Sequence, residues 1–334
     1  MSTAWMKRTA LFAIQCLVTA GVLAWVFHDG DRRGAMLQAL GRADLRWVAA
    51  GLVLSGVGEV ASFMRWGLCM RVQGIPIRWL HVCRLFFIGQ FFNLFVLGAT
   101  GGDAAKSYYV VVDTGSSKMT AILSVIMDRL ISLVTLSVTA VGMILWRYDY
   151  LTQTPVTAGL LYFLIVFLGC AVAALAGGIA IIGFQLAHKL PVRLPWRSSL
   201  IQLSTACSLF GRAWKKTLLA IAVSEVSLLT FFAAFYCAAR AFQASVSLGD
   251  IFAVMPVVTV ITALPISING VGVREKLFEQ LLGNLSGVPA EIAVLASLTG
   301  FLMFVFWSLV GAGVYLTHHR STPRDAGEST VNGG

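Results

Sequence analysis

The chain has 334 residues, of which 58% are hydrophobic and only 12% charged, with a formal net charge of +10. A soluble protein of this size would carry near a quarter of its residues as charges, so a soluble two-domain enzyme is excluded, and no two-residue alternation suggests a barrel. The basic residues gather between apolar runs, the pattern that orients membrane spans and attracts anionic lipid head groups, and not a nucleic-acid footprint.

Apolar segments fall at about 8–27, 46–64, 80–98, 119–146, 156–184, 217–239, 251–268 and 291–317, most of them near the roughly 20 residues that cross a hydrocarbon core. The first follows Lys7 and Arg8, which places the N-terminus in the cytoplasm. It is too long for a signal-peptide core and lacks a small-x-small cleavage site, so it reads as a retained span, and an uncleaved signal anchor fits the same residues. After the second segment, residues 65–84 carry Arg65, Arg71, Arg78 and Arg84 with no acid. Residues 185–216 carry Lys189, Arg193, Arg197, Arg212, Lys215 and Lys216, again with no acid. Both stretches read as cytoplasmic loops. The polar, Gly-ended residues 319–334 read as a disordered cytoplasmic tail after one membrane domain over 1–318.

Three apolar segments separate the two cytoplasmic loops, and three crossings would put the second loop outside. One segment must therefore return to the side it entered. The short run 80–98, which ends in "GATGG", is the candidate for a re-entrant hairpin. Backbone that leaves helical geometry at membrane depth is tolerated only inside protein or beside a water-filled cavity. Segment 251–268 is likewise short, contains Pro256 and Pro265, and runs into "NGVGVREKLFEQ". Span, broken segment, Gly turn, charges and span thus occur twice, starting from opposite sides of the membrane. The expected fold is all-α: a polytopic transmembrane helix bundle of about six full spans plus two re-entrant or broken segments, arranged as an inverted repeat.

Four polar features carry the candidate chemistry. In the first, Asn93 precedes "GGDAAK", where Gly101 and Gly102 permit a turn and Asp103 suits a helix cap. Free amides at the helix start and Lys106 suit a lipid phosphate. A capped surface helix with a snorkelling Lys106 fits the same residues. In the second, Asp128 and Arg129 stand inside a long apolar helix, about 100° apart, so each is expected to pair with another element. In the third, Asn269 and Gly272 belong to a Gly turn after which Arg274 and Glu275 either enter the cavity opposite Asp103 or start an amphipathic helix lying on the membrane; Lys276 and Glu279 read as that interfacial helix face. Glu59 and Glu225, each an acid within an apolar span, are candidate coupling acids, and a neutral acid bonded between helices fits them equally.

No catalytic constellation emerges. The histidines fall near segment ends, and the six cysteines form no CxxC pair or metal-ligand spacing. No enzyme activity, cofactor or metal is expected.

At "GQFFNLFVLGATGGDAAKSYYV", "IMDRLISL" and "LPISINGVGVREKLF" the chain resembles the lysylphosphatidylglycerol synthase transmembrane-region family, which includes the flippase module of the multiple peptide resistance factor. The resemblance covers roughly residues 10 to 316. It implies a flippase-like fold that moves aminoacylated phospholipids or other lipid-linked cargo between leaflets. It places the family's Gly-Gly-Asp at Gly101, Gly102 and Asp103, its Asp-Arg at Asp128 and Arg129, and its Gly-x-Arg-Glu at Gly272, Arg274 and Glu275. Two departures stand out. Lys106 replaces a commoner Arg, giving a point charge without a bidentate fork, and no aminoacyl-transfer domain is present in this sequence, so the cargo stays open.

The expected function is flippase-like translocation of an anionic or aminoacylated phospholipid or a lipid-linked sugar, in the bacterial cytoplasmic (inner) membrane. The alternative is a non-transporting accessory protein of a lipid-modifying or glycosyl-transferring enzyme. Membrane lipids are the expected partners, with such an enzyme and a homo-oligomer left open.

Overall fold

The structure is a computed structural model and describes residues 30–95, 101–183, 197–264 and 267–317, together with position 21. The expected first span, residues 96–100 of the Gly-rich turn, Pro265 and the 319–334 tail lie outside the described residues. Within them every regular element is helical: α1 Gly30–Gly41, α2 Leu45–Val72, α3 Trp79–Phe95, α4 Gly101–Thr114, α5 Lys118–Leu151, α6 Pro155–Gly183, α7 Arg197–Arg212, α8 Trp214–Ala241, α9 Leu248–Ala263, α10 Val273–Ser286 and α11 Ala290–Leu316, with a 3-10 turn at Ile268–Gly270. A helix satisfies its backbone within itself, which is what a chain this apolar needs in lipid.

Four of the described helices, α2, α5, α8 and α11, are long and apolar enough to cross a membrane. α6 has 29 residues and no charged one. By contrast α3 has 17 residues and α4 has 14, about 25 and 21 Å long at 1.5 Å per residue, against a core of ~30 Å. Chain and fold class agree: this is a polytopic helical membrane protein.

Two stretches differ from their expectation as loops. Residues 65–72 belong to α2, so Arg65 and Arg71 are helical, and the link to α3 is only residues 73–78. The 185–216 stretch contains α7, and Lys215 and Lys216 lie in the first turn of α8. α7 forms because Phe210, with the half-buried Cys207 three residues before it, gives one buried face against Leu68, Cys69, Met127 and Ile131. α1, also unforeseen, buries Met36 against Ala241, Phe242 and Val294.

The fold divides into two compact units. Of the described residues, one takes in those up to Glu59, those between 133 and 176 and those between 225 and 305; the other takes in those between 60 and 132, between 177 and 224 and from Phe306 on. Each of α2, α5, α8 and α11 hands residues to both units. The first unit is built on Phe232, Phe235, Met255, Phe278 and Ala296. The second is built on Trp66, Met70, Leu85, Phe86, Ile88 and Val110.

Each unit contains a helical hairpin. In the second unit α4 runs back along α3. Gly102 meets Gly89 and Asn93, the Lys106 stem lies on Gly89, and Asp113 meets His81. As one partner number rises the other falls, so the helices are antiparallel, and the chain leaves at the end of α3 where it entered. That is the geometry the charge parity requires. In the first unit α9 and α10 share one core, and Ala253 near the start of α9 clusters with Leu285 near the end of α10.

The caps follow from sequence. Ser247 accepts from the Asp250 amide at 3.1 Å, and Asp250 accepts from the Ser247 amide at 2.8 Å, a reciprocal start to α9. Gly287, with φ +63°, ends α10: its amide bonds Gly283 and the Val288 amide bonds Leu282.

Candidate functional site

The densest set of charges lies in the second unit. On α5, Asp128 and Arg129 turn to different partners, as their angular offset predicts. Arg65 on α2 donates from Nε to Asp128 Oδ1 at 2.6 Å and from Nη2 to Oδ2 at 3.3 Å. Its Nη1 reaches Ser224 Oγ at 3.0 Å. Arg129 donates from Nε and Nη2 to the two Asp103 oxygens at 3.0 and 2.8 Å. Both pairs are two-pronged, the geometry that only a guanidinium provides.

The expectation that Asp103 caps α4 is corrected. Asp103 lies in the first turn and its carboxylate faces Arg129. The side-chain oxygen of Asn93 accepts the Gly102 amide at 2.9 Å instead. Gly102 permits this by having no Cβ, which would stand 2.0 Å from the Gly89 carbonyl oxygen. Gly101, also buried, begins the helix.

One turn beyond Asp103, Lys106 is 96% buried. Its ammonium lies 4.4 Å from the Phe86 ring centre and 5.2 Å from that of Trp66. Trp66 is fixed by its indole N–H donating to Ser124 Oγ at 3.4 Å. Among the described residues the ammonium has no hydrogen-bond partner. The charges that reach it are Asp128, Arg129, Asp103 and Arg65. Three bases and two acids share this place, and both acids are taken by arginines. Among the described residues the cluster therefore carries one net positive charge, and the Lys106 ammonium lies against aromatic faces at a desolvated position where cation–π attraction is strongest.

The Asp103–Arg129 pair is the accessible part of the cluster. It heads a groove of about 340 Å³ between α4 and α5, with Ala104, Ile122, Ile126 and Leu130 among its walls. Arg129 is about half exposed and Asp103 a quarter exposed. A charged head and apolar sides are what an amphiphile needs.

The first unit holds the other candidates. Glu275 is fully buried; Oε2 accepts the Gly272 amide at 2.5 Å and Oε1 accepts Ser297 Oγ at 3.0 Å. It caps its own helix across Gly272, whose φ of +86° suits glycine. Arg274 donates to the Asn269 carbonyl at 2.5 Å and lies over Phe301. Asn269 itself adopts φ +51°. Lys276 and Glu279 pair with each other at 3.2 Å, in keeping with a helix face. Glu225 accepts Thr139 Oγ1 at 2.8 Å, a bond from α5 to α8 such as a membrane-embedded acid needs. Glu59 is buried on α2.

Three participants escaped the sequence reading. Arg65 was counted with a loop, although its position 20 residues into an apolar helix was a signal. The aromatic cradle of Phe86 and Trp66 had none, because aromatics recur along α2, α3, α6, α8 and α11. His81, set aside as a segment-end residue, bonds Asp113 at 2.7 Å. Among the described residues no group of His, Cys, Asp and Glu could hold a metal.

The second unit thus sets a charged cluster against a helical hairpin in a polytopic helical membrane protein. The chain belongs to the family described as the lysylphosphatidylglycerol synthase TM region, whose model matches residues 12–313. No curated protein matches the chain.

Proposed function

We propose that this protein moves an anionic lipid, a phospholipid or lipid-linked sugar with a phosphate in its head group, between leaflets of the bacterial inner membrane, with its N-terminus in the cytoplasm. One observation carries the reading: a buried lysine hydrogen-bonded to no carboxylate among the described residues, beside an accessible ion pair that heads an apolar groove. Arg129 meets the phosphate and Asp103 is the carboxylate it gives up to do so. Lys106 supplies the standing positive charge that compensates the incoming anion, and the acyl chains lie along the apolar walls. Family membership supports a role in lipid handling. Glu59 and Glu225 are the acids available for coupling.

The test is lipid translocation in proteoliposomes, using fluorescent phosphatidylglycerol and a leaflet-selective quencher. The purified chain translocates above empty vesicles, and Lys106→Gln slows it at least tenfold, since a hydrogen bond to a charged group is worth about 1.5–3 kcal/mol. Wild type indistinguishable from empty vesicles across phosphatidylglycerol, phosphatidic acid and a polyprenyl phosphate would end the proposal.

A further inference from the structure

The turn between α9 and α10 holds two buried donors without a partner among the described residues. Arg274 is 8% exposed and Ser267 is 5% exposed. Arg274 Nη1 and Ser267 Oγ have no hydrogen-bond partner among the described residues. Ser267 stands immediately before the 3-10 turn, and its hydroxyl makes no capping bond there. Arg274 folds back over the same turn. Its Nη2 bonds the Asn269 carbonyl, and a Cβ on Gly270 would lie 3.3 Å from that nitrogen. The guanidinium carbon is 4.4 Å from the Phe301 ring centre.

Buried polar groups are nearly always satisfied, and an unpaired donor on a charged group is the costliest exception. The adjacent carboxylate does not relieve it. Glu275 is bonded to Gly272 and Ser297, so it lends Arg274 its field and no hydrogen bond. What the turn lacks is an acceptor. Positive φ at Asn269, Gly270 and Gly272 turns the backbone back on itself, and the Asn269 carbonyl and the Phe301 ring hold the Arg274 guanidinium over that turn.

We propose that the 267–274 turn is a binding site for an oxyanion, a phosphate or carboxylate group that accepts from Arg274 Nη1 and Ser267 Oγ. The site stands on the first unit alone and does not rest on the lipid-transport reading of the Lys106 cluster. Inorganic phosphate and the phosphodiester of a lipid head group share this chemistry, and the test separates them.

The full-length chain in neutral detergent is titrated with inorganic phosphate and, separately, with dihexanoylphosphatidylglycerol, at ionic strength held constant with chloride. The readout is the thermal midpoint from tryptophan fluorescence. Both titrations are repeated in a Lys106→Gln background, which removes the other cluster's contribution. The midpoint rises with at least one probe in that background. Ser267→Ala, a small change that leaves the fold intact, weakens the apparent Kd about tenfold. Arg274→Lys, which keeps the charge and loses the fork, weakens it at least as much. A response to phosphate makes the ligand a free anion, and a response to the lipid alone makes it a head group; both support the site. No response to either probe, or equal Kd for Ser267→Ala and its parent, overturns it. Failure of the transport proposal appears instead in the vesicle assay and leaves this Ser267-dependent difference untouched.

Discussion

Gly102→Ala is the sharpest probe of the first hairpin. The added Cβ would stand 2.0 Å from the Gly89 carbonyl oxygen, 2.4 Å from Asn93 Cγ and 2.6 Å from Asn93 Oδ1. An ordinary carbon–oxygen contact is about 3.3 Å, so α4 must retreat from α3 by more than 1 Å. The Asn93 side chain can rotate, but the Gly89 carbonyl is helix backbone and cannot. Retreat stretches the Gly102–Asn93 bond from 2.9 Å beyond hydrogen-bonding range and carries Lys106 away from Phe86. Overpacking costs about 1–3 kcal/mol, and a clash against backbone belongs at the upper end. At about 2–4 °C per kcal/mol for large domains, the thermal midpoint in detergent falls by several degrees. Gly142→Ala is the control, because a Cβ there meets nothing within 4 Å, and it leaves the midpoint unchanged or slightly raised. A Gly102→Ala protein that unfolds with Gly142→Ala, at the wild-type temperature, refutes the backbone contact between the two helices.

Other outcomes follow from the same contacts. Arg65→Ala leaves Asp128 buried without its partner and costs about 3–5 kcal/mol, whereas Arg65→Met combined with Asp128→Leu recovers most of that; a double-mutant cycle in the thermal assay reads the coupling, and additive losses would show that the pair is not joined. Gly272→Ala forces a side chain to φ +86° and costs at least about 1 kcal/mol, checked by the same midpoint. Thr139→Val removes the donor to Glu225 and lowers stability by about 1 kcal/mol; an unchanged midpoint would mean that Glu225 is satisfied elsewhere.

The spans were legible because apolar length is decisive in lipid, and α2, α5, α8 and α11 fall where composition puts them. The first hairpin was legible only indirectly, from charge parity between two basic stretches. Its register was not, since Gly89 and Asn93 carry no signal until Gly102 is laid on them. Pairing of charges was half legible. The offset of Asp128 and Arg129 predicted separate partners but could not name Arg65 or Asp103. α7 was missed because its apolar face is narrow and its length is short of a span. Ser267 was missed for a different reason: a serine beside a Gly turn is commonplace, and only its burial without a partner makes it informative.

The bond between His81 and Asp113 has a mechanical consequence. It ties the base of the α3–α4 hairpin, while Asn93 and Gly102 tie its tip. Fastened at both extremities, the two helices resist scissoring and act as one arm. The links that attach this arm to the chain are residues 73–78 and 115–117, and each contains a glycine in left-handed backbone, Gly74 at φ +76° and Gly115 at φ +67°, with open space where a side chain would be. Any excursion of the arm must therefore part Asp103 from Arg129 and lift Lys106 off Trp66 while keeping it on Phe86, so the charged cluster itself is the latch that holds the arm in place.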